Sequence, residues 1–165
     1  MVESPPREAP PLRLADSDAL DRVFREQSPR MWRALTAFCG SRDIAQEAVA
    51  EAFAQAAGRG GAIRSPERWV WKTAYRIAAG ELKQWGSVVP LSGDAPIVEN
   101  EPAWELRSAL RCLPSRQRAA LVLHYYAGYR ASDIARITGS TPGGVWMSLS
   151  RGRRRLREVL EDDDA

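Results

Sequence analysis

SDIARITGSTPGGVWMSLSRGRRRLREVL (Ser132–Leu160) is a short amphipathic segment, a turn, and a long amphipathic segment. Ser132 and Thr141 are of the type that caps a helix N-terminus, and Pro142 suits the first helical position. Gly139 supplies the tight turn between the two segments. At about 100° per residue, Val145, Leu149, Gly152, Leu156 and Leu160 fall in one sector of the long helix. Gly144, Met147, Arg151, Arg154 and Glu158 face the other way, with Gly143, Ser148, Ser150 and Arg155 at the edges. Such a helix buries one stripe and presents the other to a DNA major groove, so the segment is expected to be a helix-turn-helix. Arg151, Arg153, Arg154, Arg155 and Arg157 suit phosphates, and base reading falls to the N-terminal part of the helix. Trp146 lies about 60° from Leu149 and is expected to pack on the core stripe.

Upstream, Trp104–Cys112 and Ser115–Tyr126 also read as helices. Before them, GSVVPLSGDAPIVENEPA (residues 86–103) has three prolines and no helical period, which marks a linker longer than most connections within a domain. Residues 18–85 are helical again. Leu20, Val23 and Phe24 recur at helical spacing, and Ser28-Pro29 reads as the start of a second helix carrying Met31, Leu35 and Phe38. After Ser41 comes a stripe of Ala45, Val49, Ala52, Phe53 and Ala56, and after Ser65-Pro66 one of Trp71, Ala74, Tyr75, Ala78 and Leu82. Strand signals are nearly absent. The expected fold is all-α: two small helical domains, 18–85 and 104–160, joined by a flexible linker. A Pro-rich arm (1–17) precedes them and an acidic tail (161–165) follows.

Charge is distributed unevenly along the 165 residues, whose formal net charge is only +3. Residues 105–160 hold eleven arginines and three acidic residues, and residues 86–104 hold three acidic residues and no basic one. Basic blocks separated by acidic spacers suit a protein that neutralises phosphates. Mean hydropathy is −0.39 and no apolar run approaches the roughly 20 residues needed to span a bilayer, so membrane and secreted readings fall away. Cys39 and Cys112 are far apart and are expected to be reduced, small hydrophobes in a cytoplasmic protein. His124, the one histidine, reads as a packed or half-buried helix residue. With so little raw material for catalysis, neither an enzymatic activity nor a metal or other cofactor is expected.

LPSRQRAALVLHYYAGYRASDIARITGSTPGGVWMSLSRGRRRLREVL (Leu113–Leu160) resembles region four of bacterial sigma factors, most closely the extracytoplasmic-function (ECF) group. DIAQEAVAEAFAQA (Asp43–Ala56) resembles region 2.2 of that group, and SPERWVWKTAYRIAAGELK (Ser65–Lys83) its regions 2.3 and 2.4. The matches occur in the family order and flank a linker where the family has one. The style is that of actinobacterial members.

The resemblance implies a protein that binds core RNA polymerase and directs promoter-specific initiation. It places polymerase docking at Asp43, Gln46, Glu47, Ala50 and Glu51, an acidic ridge suited to a basic coiled coil. It places Arg64, Arg68, Lys72, Arg76 and Lys83 near the −10 element, and the long helix at the −35 element. Trp69 and Trp71 are aromatic candidates for an unstacked base, although the helix also needs large inward residues and both are read as core. Promoter DNA and core polymerase are thus the implied partners, and the family commonly adds an anti-sigma factor, to which no residue here testifies. One departure stands out. Many ECF members carry Lys-Ser-Arg where this chain has Trp146-Met147-Ser148, which implies weaker, more apolar or different −35 contacts. Two rival readings stay open from the residues: a stand-alone helix-turn-helix regulator, and a degenerate sigma-like adaptor with weak DNA recognition.

Overall fold

A computed structural model describes residues 14–85 and 101–163 of the chain. Among the described residues there are seven α-helices, one 3₁₀ turn and no strand. The first three helices are α1 (Leu14–Cys39), α2 (Arg42–Arg59) and α3 (Pro66–Trp85), with the 3₁₀ turn Gly60–Ala62 between the last two. The other four are α4 (Glu101–Arg111), α5 (Ser115–Tyr125), α6 (Ala131–Thr138) and α7 (Pro142–Asp163).

The first three helices form a bundle whose centre is lined by small residues and a few large ones. Ala45, Ala48, Val49 and Ala52 of α2 are fully buried, which lets α1 and α3 approach closely. Phe38, Met31, Leu35 and Trp71 supply the bulk. Ser41 caps α2, its hydroxyl accepting from the Ile44 N–H at 3.3 Å. The expected break at Ser28-Pro29 does not occur, because α1 runs unbroken through Pro29. An interior proline costs about 3 kcal/mol. Here Leu20 and Val23 before it and Met31, Leu35 and Phe38 after it pack on one core, so a single rod buries more than two broken pieces. The helix also begins at Leu14, inside the expected arm, where Asp16 favours the helix N-terminus. The rest of the arm and the linker proper, residues 1–13 and 86–100, lie outside the described residues.

Helices α5, α6 and α7 enclose a second apolar centre of Leu121, Val122, Leu123, Ile134, Val145 and Leu149. Gly139 takes a left-handed conformation (φ +68°) that ends α6 and turns the chain into α7. Thr141 caps α7 as expected, accepting from the Gly144 N–H at 3.1 Å. Ser132 does not cap α6, which starts one residue earlier behind Arg130. Helix α4 likewise starts at Glu101 rather than Trp104. Glu161, Asp162 and Asp163 extend α7 rather than forming a tail, since no breaker follows Leu160.

Two side chains contradict their expected burial. Cys112, at the end of α4, is exposed, while Cys39 is buried. Trp146 is 55% exposed because Val145 and Leu149 already fill the inward stripe and leave it beyond the edge of the core.

The two groups of helices pack on each other through α1, which touches both α4 and α5. The Arg118 guanidinium of α5 lies over the Phe38 ring of α1, 5.8 Å from its centroid. Burial holds the Arg118 pKa below the ordinary arginine range.

Candidate nucleic-acid interface

Helix α7 is the base of the site. Val145, Leu149 and Gly152 are buried, and Leu156 and Leu160 are partly so, which fixes the rotation of the helix about its axis. At Gly152 α7 passes close to α5: a Cβ built there would stand 3.1 Å from Leu121 Cδ1. With that face anchored, Gly143, Met147, Ser150, Arg151, Arg154 and Arg155 are exposed, and Gly144 and Ser148 are partly covered. Arg154 pairs with Glu158 at 3.8 Å, and Arg153 donates to the Tyr125 hydroxyl at 3.2 Å. The five arginines from Arg151 to Arg157 are all exposed, so the C-terminal half of the helix presents a cationic surface of the kind that suits phosphates.

Helix α3 carries the second set of cations. Arg68, Lys72, Arg76 and Lys83 recur along one side of it, and Arg64 precedes its first turn. The structure splits them. Arg64, Arg68 and Lys72 line a groove of about 640 Å³ together with Trp69, Tyr129 and Asp133. Arg76 and Lys83 line a different cleft, shared with Arg116, Arg118 and Ser148 of the C-terminal helices. Arg68 is not a free cation: its guanidinium pairs with Asp133 at 2.6 Å, and its backbone carbonyl accepts from the Tyr129 hydroxyl at 2.8 Å. Tyr129 is buried, and desolvation pushes its pKa well above the tyrosine norm. Trp71 is core, donating to the Gln27 side chain at 3.2 Å, whereas Trp69 is only partly buried.

Two groups escaped the sequence reading. Arg59 stacks its guanidinium 5.3 Å from the Trp69 ring centroid and joins the first groove. Arg136, in the first helix of the helix-turn-helix, lies at the same groove and 3.6 Å from Asp133. Neither sits in a periodic pattern with the α3 cations: Arg59 arrives from the end of α2 and Arg136 from α6, so only tertiary structure brings them to the groove.

Elsewhere on the bundle, Asp43, Gln46, Glu47, Ala50 and Glu51 are all exposed along α2. Glu51 accepts from Gln55 at 2.8 Å, and Asp43 lies in the first turn behind the Ser41 cap. Among the described residues no group of three or more His, Cys, Asp or Glu side chains could hold a metal ion. No helix there is long and apolar enough to cross a membrane.

Residues 103–156 match the family model described as Sigma-70, region 4. That span covers the turn at Gly139, the capped start of α7 and four of its five arginines. The ECF RNA polymerase sigma factor SigM of Mycobacterium tuberculosis is 27% identical over 154 residues, 88% of this chain and 79% of that protein. The chain is a homologue of the ECF sigma factors. The ECF RNA polymerase sigma factor BldN of Streptomyces coelicolor is 22% identical over 165 residues, 90% of this chain and 62% of that one. The sigma factor RpoE of Bartonella quintana, solved with the anti-sigma factor NepR, has the same fold. It superposes with a TM-score of 0.73 at 19% identity, covering 87% of this chain and 98% of that one. The sigma factor homologues and the region 4 domain identify a protein that directs transcription initiation.

Proposed function

We propose that this sigma factor docks on core RNA polymerase through the outer face of α2, reads the −35 element with α7 and engages the −10 region with the cations of α3. Residues 18–85 would then be the region-two domain and residues 104–160 the region-four domain, with residues 86–103 connecting them. The observation that carries this reading is the presence in one chain of two oppositely charged, outward-facing surfaces. Asp43, Glu47 and Glu51 are exposed on α2, and the exposed arginines of α7 stand on a capped helix-turn-helix. A stand-alone DNA-binding regulator would have no use for the first.

The proposed protein performs no bond-making itself and acts in the cytoplasm, where polymerase and chromosome meet. Phosphoryl transfer belongs to the polymerase, and the sigma factor supplies position and sequence choice. An anti-sigma factor is a further proposed partner, supported by the fold shared with a sigma factor solved in such a complex.

The test is co-elution with core RNA polymerase on a sizing column, followed by run-off transcription on genomic fragments. Stoichiometric co-elution that a Glu47→Lys/Glu51→Lys variant loses, with new transcripts dependent on the chain, is the expected result. DNA binding with neither co-elution nor transcripts would leave a stand-alone regulator.

A further inference from the structure

The half of α7 that enters the groove has an unusual inventory. From Gly139 to Ser150 the chain runs GSTPGGVWMSLS, with no Arg, Lys, Asn, Gln, Asp or Glu. Those six residue types make the strong hydrogen-bonded readings of base edges: Arg or Lys on guanine, Asn or Gln on adenine, and Asp or Glu on cytosine. None of the three is available to the N-terminal half of this helix. What is exposed instead is apolar. Trp146 and Met147 are 55% and 52% exposed, two of the four large hydrophobic side chains left substantially uncovered among the described residues.

Their placement is specific. Successive residues on a helix diverge by about 100°, so Trp146 and Met147 flank a strip whose middle is Gly143 and Ser150. Two apolar walls thus stand on either side of a floor of small residues. A Cβ added at Gly143 would meet nothing within 4 Å, so the floor is open to an incoming partner. The same strip leads directly to Arg151 and Arg154, so a duplex held by those cations lies against the slot. The major-groove feature that an apolar side chain recognises is the C5-methyl group of thymine.

We propose that Trp146 and Met147 are specificity-determining residues that read thymine methyl groups in the upstream promoter element. The inference rests on the assignment of α7 as the helix that enters the −35 major groove. The methyl contact removes apolar surface of both partners from water, which is how two exposed hydrophobic side chains on a DNA-facing helix become useful. Hydrogen-bonded reading is then left to the hydroxyls of Ser148 and Ser150 and to the backbone.

Deoxyuridine tests this cleanly, because it removes the methyl group and leaves pairing and charge unchanged. Two random duplex libraries, one made with thymidine and one with deoxyuridine, are bound to the complex of the full-length chain with core polymerase. The enriched thymidine sequences are then remade in both forms and their affinities measured. Each buried methyl is expected to contribute about fourfold in affinity. Trp146→Ala and Met147→Ala should abolish the difference between the two forms, while Met147→Leu keeps it. Both residues are exposed, so the variants retain the fold, which circular dichroism checks. Equal affinity for both forms, or a methyl effect that survives both alanine variants, overturns the proposal. Run-off transcription from the recovered sequences reports separately on the sigma reading. Transcription with methyl-independent binding removes this inference alone, whereas methyl-dependent binding without transcription removes the functional reading alone.

Discussion

Arg68 and Asp133, sixty-five positions apart in the chain, meet at 2.6 Å and tie α3 to α6. Asp133 is largely covered, with 17% of its side chain exposed, while Arg68 remains 59% exposed. The Tyr129 hydroxyl closes a second bond to the Arg68 carbonyl, so one residue of α3 holds both α6 and the connection that leads into it. The cation assigned to the −10 region is therefore occupied while the two helical groups are packed together.

Substitutions at the two ends of this pair should separate in sign. Asp133→Asn frees Arg68 and is expected to raise affinity for single-stranded −10 DNA, whereas Arg68→Ala should lower it. Both should loosen the packing of α3 on α6 by about 1 kcal/mol. An increased radius of gyration in small-angle scattering checks the loosening. Equal DNA affinities for the two variants would show that Arg68 does not exchange between Asp133 and DNA.

Alkaline pH should weaken the fold. Burial pushes the Tyr75 hydroxyl from 10.0 up to about 12, with Arg118 partly opposing the shift. A folded-state pKa above the unfolded one gives stability that is complete below about pH 10 and lost as the pH rises toward 12. Tyr129 shifts in the same direction. Thermal midpoints measured from pH 8 to 11.5 should fall steeply above pH 10, and Tyr75→Phe/Tyr129→Phe should flatten that fall.

The helices themselves were legible because their apolar stripes recur at helical spacing and their boundaries carry Gly139, Thr141-Pro142 and Ser41. The α2 stripe from Ala45 to Ala56 is buried throughout. What misled was local chemistry overruled by packing. Ser28-Pro29 has the form of a helix start, yet the core on both sides holds α1 straight through it. Trp146 lies near the inward stripe on a helical wheel, but a wheel says nothing of how far the core extends, and that position is left uncovered. The pairing of Arg68 with Asp133 was not readable at all, since nothing local to either residue points to the other. The same holds for Arg59 on Trp69, which depends on how the 3₁₀ turn folds back over α3.

Close packing at Gly152 should be intolerant of added volume. A Cβ there would lie 3.1 Å from Leu121 Cδ1 and 3.4 Å from Gln117 Cβ, so Gly152→Val forces α7 away from α5. A loss of about 1–3 kcal/mol is expected. Denaturant melts check it, together with weakened −35 binding where the arginines themselves are untouched.

Salt dependence distinguishes the two halves of α7. Arg151→Ala and Arg155→Ala should each lower the slope of log affinity against log salt by about one, across all DNA sequences. Met147→Ala should leave that slope unchanged and alter only the preferred sequence. Fluorescence anisotropy at several salt concentrations separates the two behaviours.

Helix α1 reaches α2 and α3 on one side and α4 and α5 on the other, which gives the order of synthesis a meaning. By residue 85 the first three helices are complete in sequence. At about 5–20 residues per second, the stretch from residue 86 up to Tyr129 follows over roughly 2–9 s. During that interval the nascent chain has the acidic α2 ridge and the α3 cations but not Asp133 or Tyr129. The surfaces proposed for polymerase and DNA thus exist on the ribosome before the residues that later hold Arg68.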